Sequence, residues 1–439
     1  MNLPPRLTRS LLAGAVLGTA IVGLGSADGA AAASPEATPA LAWLAGELDG
    51  TADGIFVYDS GFGDFTDYGL TLDAVLALAL GGGHAAQVDA SMDAVESSIA
   101  EYISHPDFGD GNGAGKYAGS ASKALLTEQV AGRPTTIGSV DLETEVRSAI
   151  RGASPSSRWT GRVDADHGDF SNGVTQSLAV LALSRTSGGV PAAVRDFLLE
   201  QQCPDGGFRI SFDVVKPDFT IDEAGSTRGC TTSADSDLDA TAFALEALLS
   251  IRDDDGVPAA VADAIAFLEL PANAATNANT AGLHGQALRA AGETAAADAN
   301  AAKVKALQLT DPGPDVGAIV FDADAKAAAP NSTIAPADLS QAWRATAQGV
   351  LALGLPSYGP VVAPPTTTST TGPTTTSTAA ASTTSTSGAA ATSSTAKATS
   401  GTIPKTGSSA HAEVSIGLLL VGLGLAAVGQ SRLRGRGSS

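Results

Sequence analysis

Cysteine, histidine, aromatic rings and positive charge are all scarce in this chain of 439 residues. Against 46 Asp and Glu stand 25 Lys and Arg, a net charge of −21. Phosphate backbones need a basic face, so nucleic acid is excluded as a partner; so acidic a surface suits an exported protein and attracts cations weakly. Only Cys203 and Cys230 carry thiols. In an oxidising exterior such a pair forms one disulfide, worth about 3–4 kcal/mol by loop entropy; two free thiols are the alternative. The five histidines (His84, His105, His167, His284, His411) show no metal-ligand spacing. Two apolar runs, Leu11–Leu24 and Val414–Val428, lie near the ends, and both fall short of the ~20 residues of a membrane span.

What the chain does have is a helical stretch that returns. It runs Thr71–Leu80, Thr175–Leu183 and Thr241–Leu249, with looser copies at Gly119–Leu126, Thr280–Ala291 and Ser340–Leu353. Each is built of good helix formers and is apolar on almost every face, so other helices must enclose it. Before each copy lies a one-faced helix, as where Val88, Met92, Val95, Ile99 and Ile103 recur at helical spacing between Asp89, Asp93 and Glu96. The others fall near Pro39–Leu48, Asp141–Ile150, Pro191–Gln202, Pro258–Leu270 and Thr294–Leu307. Six greasy helices inside six amphipathic ones make an all-α (α/α)6 barrel, or toroid, of six helical hairpins over residues 34–361. An open solenoid would need polar end caps, and neither end has a distinct one. Connections from outer to inner helices are long and rich in Gly and Asp (Asp49–Asp67, His105–Ala118, Ser154–Ser171, Cys203–Asp237, Thr310–Asp338), which gathers them at one rim.

The two ends of the chain are of a different kind. Arg6 and Arg9, the Leu11–Leu24 run and small residues up to Ala33 have the layout of a secretory signal peptide, residues 1–33. Residues 362–402 are almost entirely Thr, Ser, Ala and Pro, cannot bury a core, and read as a disordered stalk. Ile403-Pro404-Lys405-Thr406-Gly407, then Val414–Val428, then Arg432, Arg434 and Arg436, together resemble the LPxTG cell-wall sorting signal of Gram-positive surface proteins, with Ile in the first place. That resemblance implies a sortase that cleaves between Thr406 and Gly407 and joins the threonine to cell-wall peptidoglycan. Residues 403–439 would hold the substrate at the membrane with the arginines inside. A permanent membrane anchor is the alternative.

Within the barrel, Leu198–Phe208 followed by Asp237–Leu245 resembles the prenyltransferase/squalene-oxidase repeat. The resemblance implies an α/α toroid of the terpene-cyclase kind and leaves the activity open, since the fold hosts several. Cyclases of this family protonate an alkene with the middle Asp of Asp-x-Asp-Asp-Thr-Ala. Here the stretch is Asp237-Leu238-Asp239-Ala240-Thr241-Ala242, so Asp239 falls on the proton donor and Ala240 replaces the last acid. The bland reading makes Asp237 and Asp239 helix caps, with Asp239→Asn costing about 1 kcal/mol. The zinc set of protein prenyltransferases and the thioester Cys-Gly-Glu-Gln are absent, and three Trp, five Tyr and twelve Phe are few rings for stabilising carbocations. Gly109–Lys116 lacks the first glycine and the hydroxyl of a phosphate loop. Asp164, Asp166 and Asp169 hint at calcium, with the glycine misplaced and Thr175 where the bidentate Glu belongs.

No metal or other cofactor is expected. The catalytic candidates are Asp169, Asp237 and Asp239. Asp64, Asp67 and Asp166 join them near the mouth, as a carbohydrate hydrolase or lyase would require. The leading expectation is a wall-anchored ligand-binding or adhesion module with an unknown extracellular ligand over the barrel mouth.

Overall fold

The computed structural model describes residues 33–61, 63–106, 114–152, 159–164, 171–213 and 226–359. The segments expected as signal peptide (up to residue 32), stalk and sorting motif lie outside them, as do Asp166 and Asp169. Twelve helices carry the architecture. They are α1 (Thr38–Asp49), α2 (Tyr68–Gly81), α3 (Ala85–Ser97), α4 (Ala118–Ala131), α5 (Leu142–Ser148) and α6 (Gly173–Ser184). After them come α7 (Ala192–Leu199), α8 (Leu238–Leu249), α9 (Val257–Glu269), α10 (Ala278–Ala291), α11 (Thr294–Leu307) and α12 (Leu339–Gly349). The even-numbered helices touch in the order α2, α4, α6, α8, α10, α12 and back to α2, a closed ring. Each odd-numbered helix packs outside its even neighbour. The helices are therefore those the hydropathy pattern expects, and the inner ones are buried nearly throughout. Among the described residues no helix is long and apolar enough to cross a membrane.

Four of the six hairpins share a local device that fixes how each loop enters its inner helix. A loop backbone N–H donates to a side chain of that helix, Phe56 to Thr71 (3.0 Å), Val163 to Gln176 (2.9 Å) and Phe208 to Thr241 (2.8 Å) at its fourth residue, and Ile319 to Thr346 (2.9 Å) further along α12. The Thr71 and Thr241 hydroxyls in turn donate to the carbonyls of Asp67 and Asp237, and Thr346 to that of Ile319. At Thr71, Thr241 and Thr346 one hydroxyl both donates and accepts, whereas in the third hairpin Gln176, and not Thr175, makes the clip. Two residues before each clipped N–H sits a glycine with positive φ, at 54, 161, 206 and 317. A Cβ there would reach 1.8 Å from Ala193 O at Gly161, 2.5 Å from Asp263 O at Gly206 and 2.4 Å from Pro39 O at Gly317. Each of those carbonyls belongs to the next outer helix. For Gly317 that is α1, so the outer layer closes on itself as well.

The two ends of the toroid differ. At the N-terminal ends of the inner helices lie the long loops, with short antiparallel ribbons such as Val57–Asp59 with Asp64–Thr66 and Phe208–Arg209 with Ser236–Asp237. Here Cys203 and Cys230 are joined, Cα atoms 4.8 Å apart. At the other end residues 355–359 run across the C-terminal ends of α6, α8 and α10 as a strap. Arg185 donates to Tyr358 O (2.8 Å) and Gln286 to Pro356 O (2.6 Å). Ser357 bonds the Glu246 carboxyl, and Tyr358 stacks on Phe243 with ring centres 6.3 Å apart.

Candidate functional site

The clips place the inner helices in a common register. Residues two before and two after the clipped side chain are one turn apart and face the lumen. For α2, α6, α8 and α12 these are Gly69 and Asp73, Val174 and Leu178, Asp239 and Phe243, Arg344 and Gln348. Counting from the N-caps Tyr117 and Asn277 adds Gly119 and Lys123 on α4, Asn279 and Leu283 on α10. Ten of these twelve are partly exposed on helices otherwise buried, as a lumenal lining requires. The lumen thus has two layers.

One arc of the lining is charged and paired. Lys123 Nζ lies 2.6 Å from Asp73 and donates to Gly69 O (2.8 Å). Arg344 reaches Asp67 at 3.2 Å. Gln348 donates to Asp73 at 3.5 Å and accepts from Asn279 at 3.0 Å. The opposite arc, Leu178, Phe243 and Leu283 in the deeper layer, is apolar.

Asp237 and Asp239 part company in the structure. Asp237 caps α8, its carboxylate accepting from Ala240 N at 2.8 Å. Asp239 does not cap, which corrects the reading of both as caps: it sits inside the first turn, faces the lumen, and one of its oxygens has neither solvent contact nor partner. Burial first, then the neighbouring Asp237, pushes its carboxyl up to about 6, against a hydrogen bond from Thr280. Across the α8–α10 contact, burial pushes His284 down to about 4, and its Nε2 lies 3.2 Å from Leu238 O.

The remaining candidates fare unevenly. Asp67 is buried, caps α2 through Leu70 N (2.8 Å) and pairs with Arg344, whereas Asp64 is exposed. Asp164 is held by Arg162 and Arg151, each at 3.0 Å, so two guanidinium groups already neutralise the first of the three acids that hint at calcium. Among the described residues no group of three or more His, Cys, Asp or Glu is placed to hold a metal ion.

No family model and no curated protein matches the chain. Among solved structures it is similar to a type II terpene cyclase variant from Scytonema in complex with its substrate, geranylgeranyl dihydroxybenzoate, at 14% identity and a TM-score of 0.43, covering 72% of this chain and 95% of that one. It is also similar to a protein from Actinoplanes at 16% identity and a TM-score of 0.41, covering 72% and 97%.

Proposed function

We propose that the chain is exported, sorted to the cell wall through Ile403–Gly407, and displays the toroid as a ligand-binding module whose site is the lumenal mouth. The observation that carries this reading is where the chain leaves the toroid. Residues 355–359 cross the floor, at the C-terminal ends of α6, α8 and α10, opposite the long loops. A stalk beginning at residue 362 would then start from the face opposite the mouth and leave the mouth accessible. The lining supports binding over carbocation chemistry, because the acids of its charged arc are already held by Lys123 and Arg344.

A second reading, acid catalysis by Asp239, has one observation in its favour: a carboxyl held near 6 at the lumenal wall can keep a proton close to neutral pH. Against it, Ala240 stands where the cyclases carry a further acid, and Asp237 is engaged as a cap. The test of display is Thr406→Ala. The protein is expected to leave the covalently linked wall fraction for the membrane or medium; unchanged wall linkage overturns sorting.

A further inference from the structure

The lumenal amides form a relay with a fixed direction. Asp73 can only accept, so Gln348 must turn its Nε2 toward it, which leaves Gln348 Oε1 to accept from Asn279 Nδ2. Asn279 Oδ1 is then turned outward, buried and without a donor. In the same layer on the adjoining helix α8, Asp239 Oδ1 is buried and lacks a donor too. Two acceptors on neighbouring helices are thus left over at the point where the relay ends.

Charge is unbalanced at the same place. Lys123 and Arg344 are committed to Asp73 and Asp67 on the other side of the ring. His284, facing α8 from α10, is pushed down to about 4 by burial and by the Lys303 charge behind it, so it brings no positive charge to Asp239. Asp237 adds negative charge beside Asp239. Among the described residues no cation pairs with Asp239. A deeply placed carboxylate without a counter-charge is costly, and a ligand that brings one is favoured.

We propose that the α8–α10 side of the lumen binds a small organic ammonium ion, its N–H groups donating to Asp239 and to the Asn279 carbonyl and its apolar body resting on Phe243, Leu178 and Leu283. This rests on the lumen being the binding site. An ammonium group supplies both the donors and the positive charge that these two acceptors lack. A carboxylate ligand meets like charge, a buried water brings donors but no charge, and a metal ion finds too few ligating groups.

The test uses the full chain at pH 8 and titration calorimetry with benzylammonium, benzyl alcohol and benzoate. Benzylammonium is expected to bind saturably, at least tenfold tighter than benzyl alcohol, and benzoate not at all. Asp239→Asn is expected to weaken benzylammonium at least tenfold while leaving benzyl alcohol unchanged, and Asn279→Asp to tighten it several-fold. Thermal melts of both variants confirm that each is folded; either variant alone tests the assignment. Alcohol binding equal to ammonium, or Asp239→Asn without effect, overturns the ammonium assignment and leaves the lumen as a binding site. Silence from all three probes likewise overturns the ammonium assignment.

Discussion

Asp73 and Asp239 are the same residue type on the lumenal faces of two inner helices that stand across the ring from each other, yet their surroundings are opposite. Asp73 touches Lys123 and is approached by Arg344 and Gln348. Asp239 has a hydroxyl, another carboxylate and no cation. The difference teaches that the toroid does not treat its lumen uniformly. One arc uses its charge to hold helices α2, α4 and α12 together, and the other leaves Asp239 without a counter-charge among the described residues.

The largest expected effect comes from breaking the braced arc. Lys123→Ala strands a mostly buried Asp73, and removing one partner of a buried pair costs about 3 kcal/mol or more. A fall in melting temperature of roughly 4–6 °C is expected for a domain of this size, measured by calorimetry at pH 7. A fall under about 2 °C would show that Arg344 and Gln348 alone satisfy Asp73, and that the two arcs differ less than their geometry says.

Next in size is the pH response of the arc that holds Asp239. The folded Asp239 carboxyl titrates at about 6, above its unfolded value of 3.8, so the folded state holds the proton more tightly. Its contribution is fully present below the unfolded value and is lost as pH rises through 6. Two units amount to roughly 2–3 kcal/mol. Asp239→Asn is therefore expected to flatten the stability profile between pH 4 and 7 and to be more stable than the parent at pH 8. This reverses the sign expected of a helix cap, where the same change costs about 1 kcal/mol. Glu246 on the floor, pushed to about 7 chiefly by burial, adds a loss of the same sign at higher pH, and it persists in the variant.

How much of this was legible in the chain depends on the range of the interaction. The twelve helices follow from local periodicity, and the Asp237–Asp239 pair stands out because two acids open an apolar helix. The braced arc is not visible that way. Gln348 meets Asp73 across 275 residues and Asn279 meets Gln348 across 69, so each reads in isolation as one polar residue in a greasy helix. The clips are hidden for a related reason. Their partners are 15, 13, 33 and 27 residues apart, because the loops between them differ in length, and no fixed period marks them. Only the fourth hairpin, with Gly206-Gly207-Phe208 ahead of Thr241, presents the pattern plainly in sequence.

The smallest expected effect sharpens the comparison most, because it separates capping from charge at a single position. Asp237 both caps α8 and presses on Asp239. Asp237→Ala removes both roles and is expected to cost about 1 kcal/mol at pH 5, where Asp239 is largely protonated. Asp237→Asn keeps an equally good cap and removes only the charge. It is expected to leave the melting temperature at pH 5 nearly unchanged while moving the Asp239 midpoint below 6, read from the side-chain carboxyl carbon shift in an NMR titration. The loss in Asp237→Ala should then shrink at pH 8, because an ionised Asp239 gains from losing its neighbour. An unmoved midpoint would mean that burial alone raises Asp239, and that the two acids at the head of α8 are electrostatically independent.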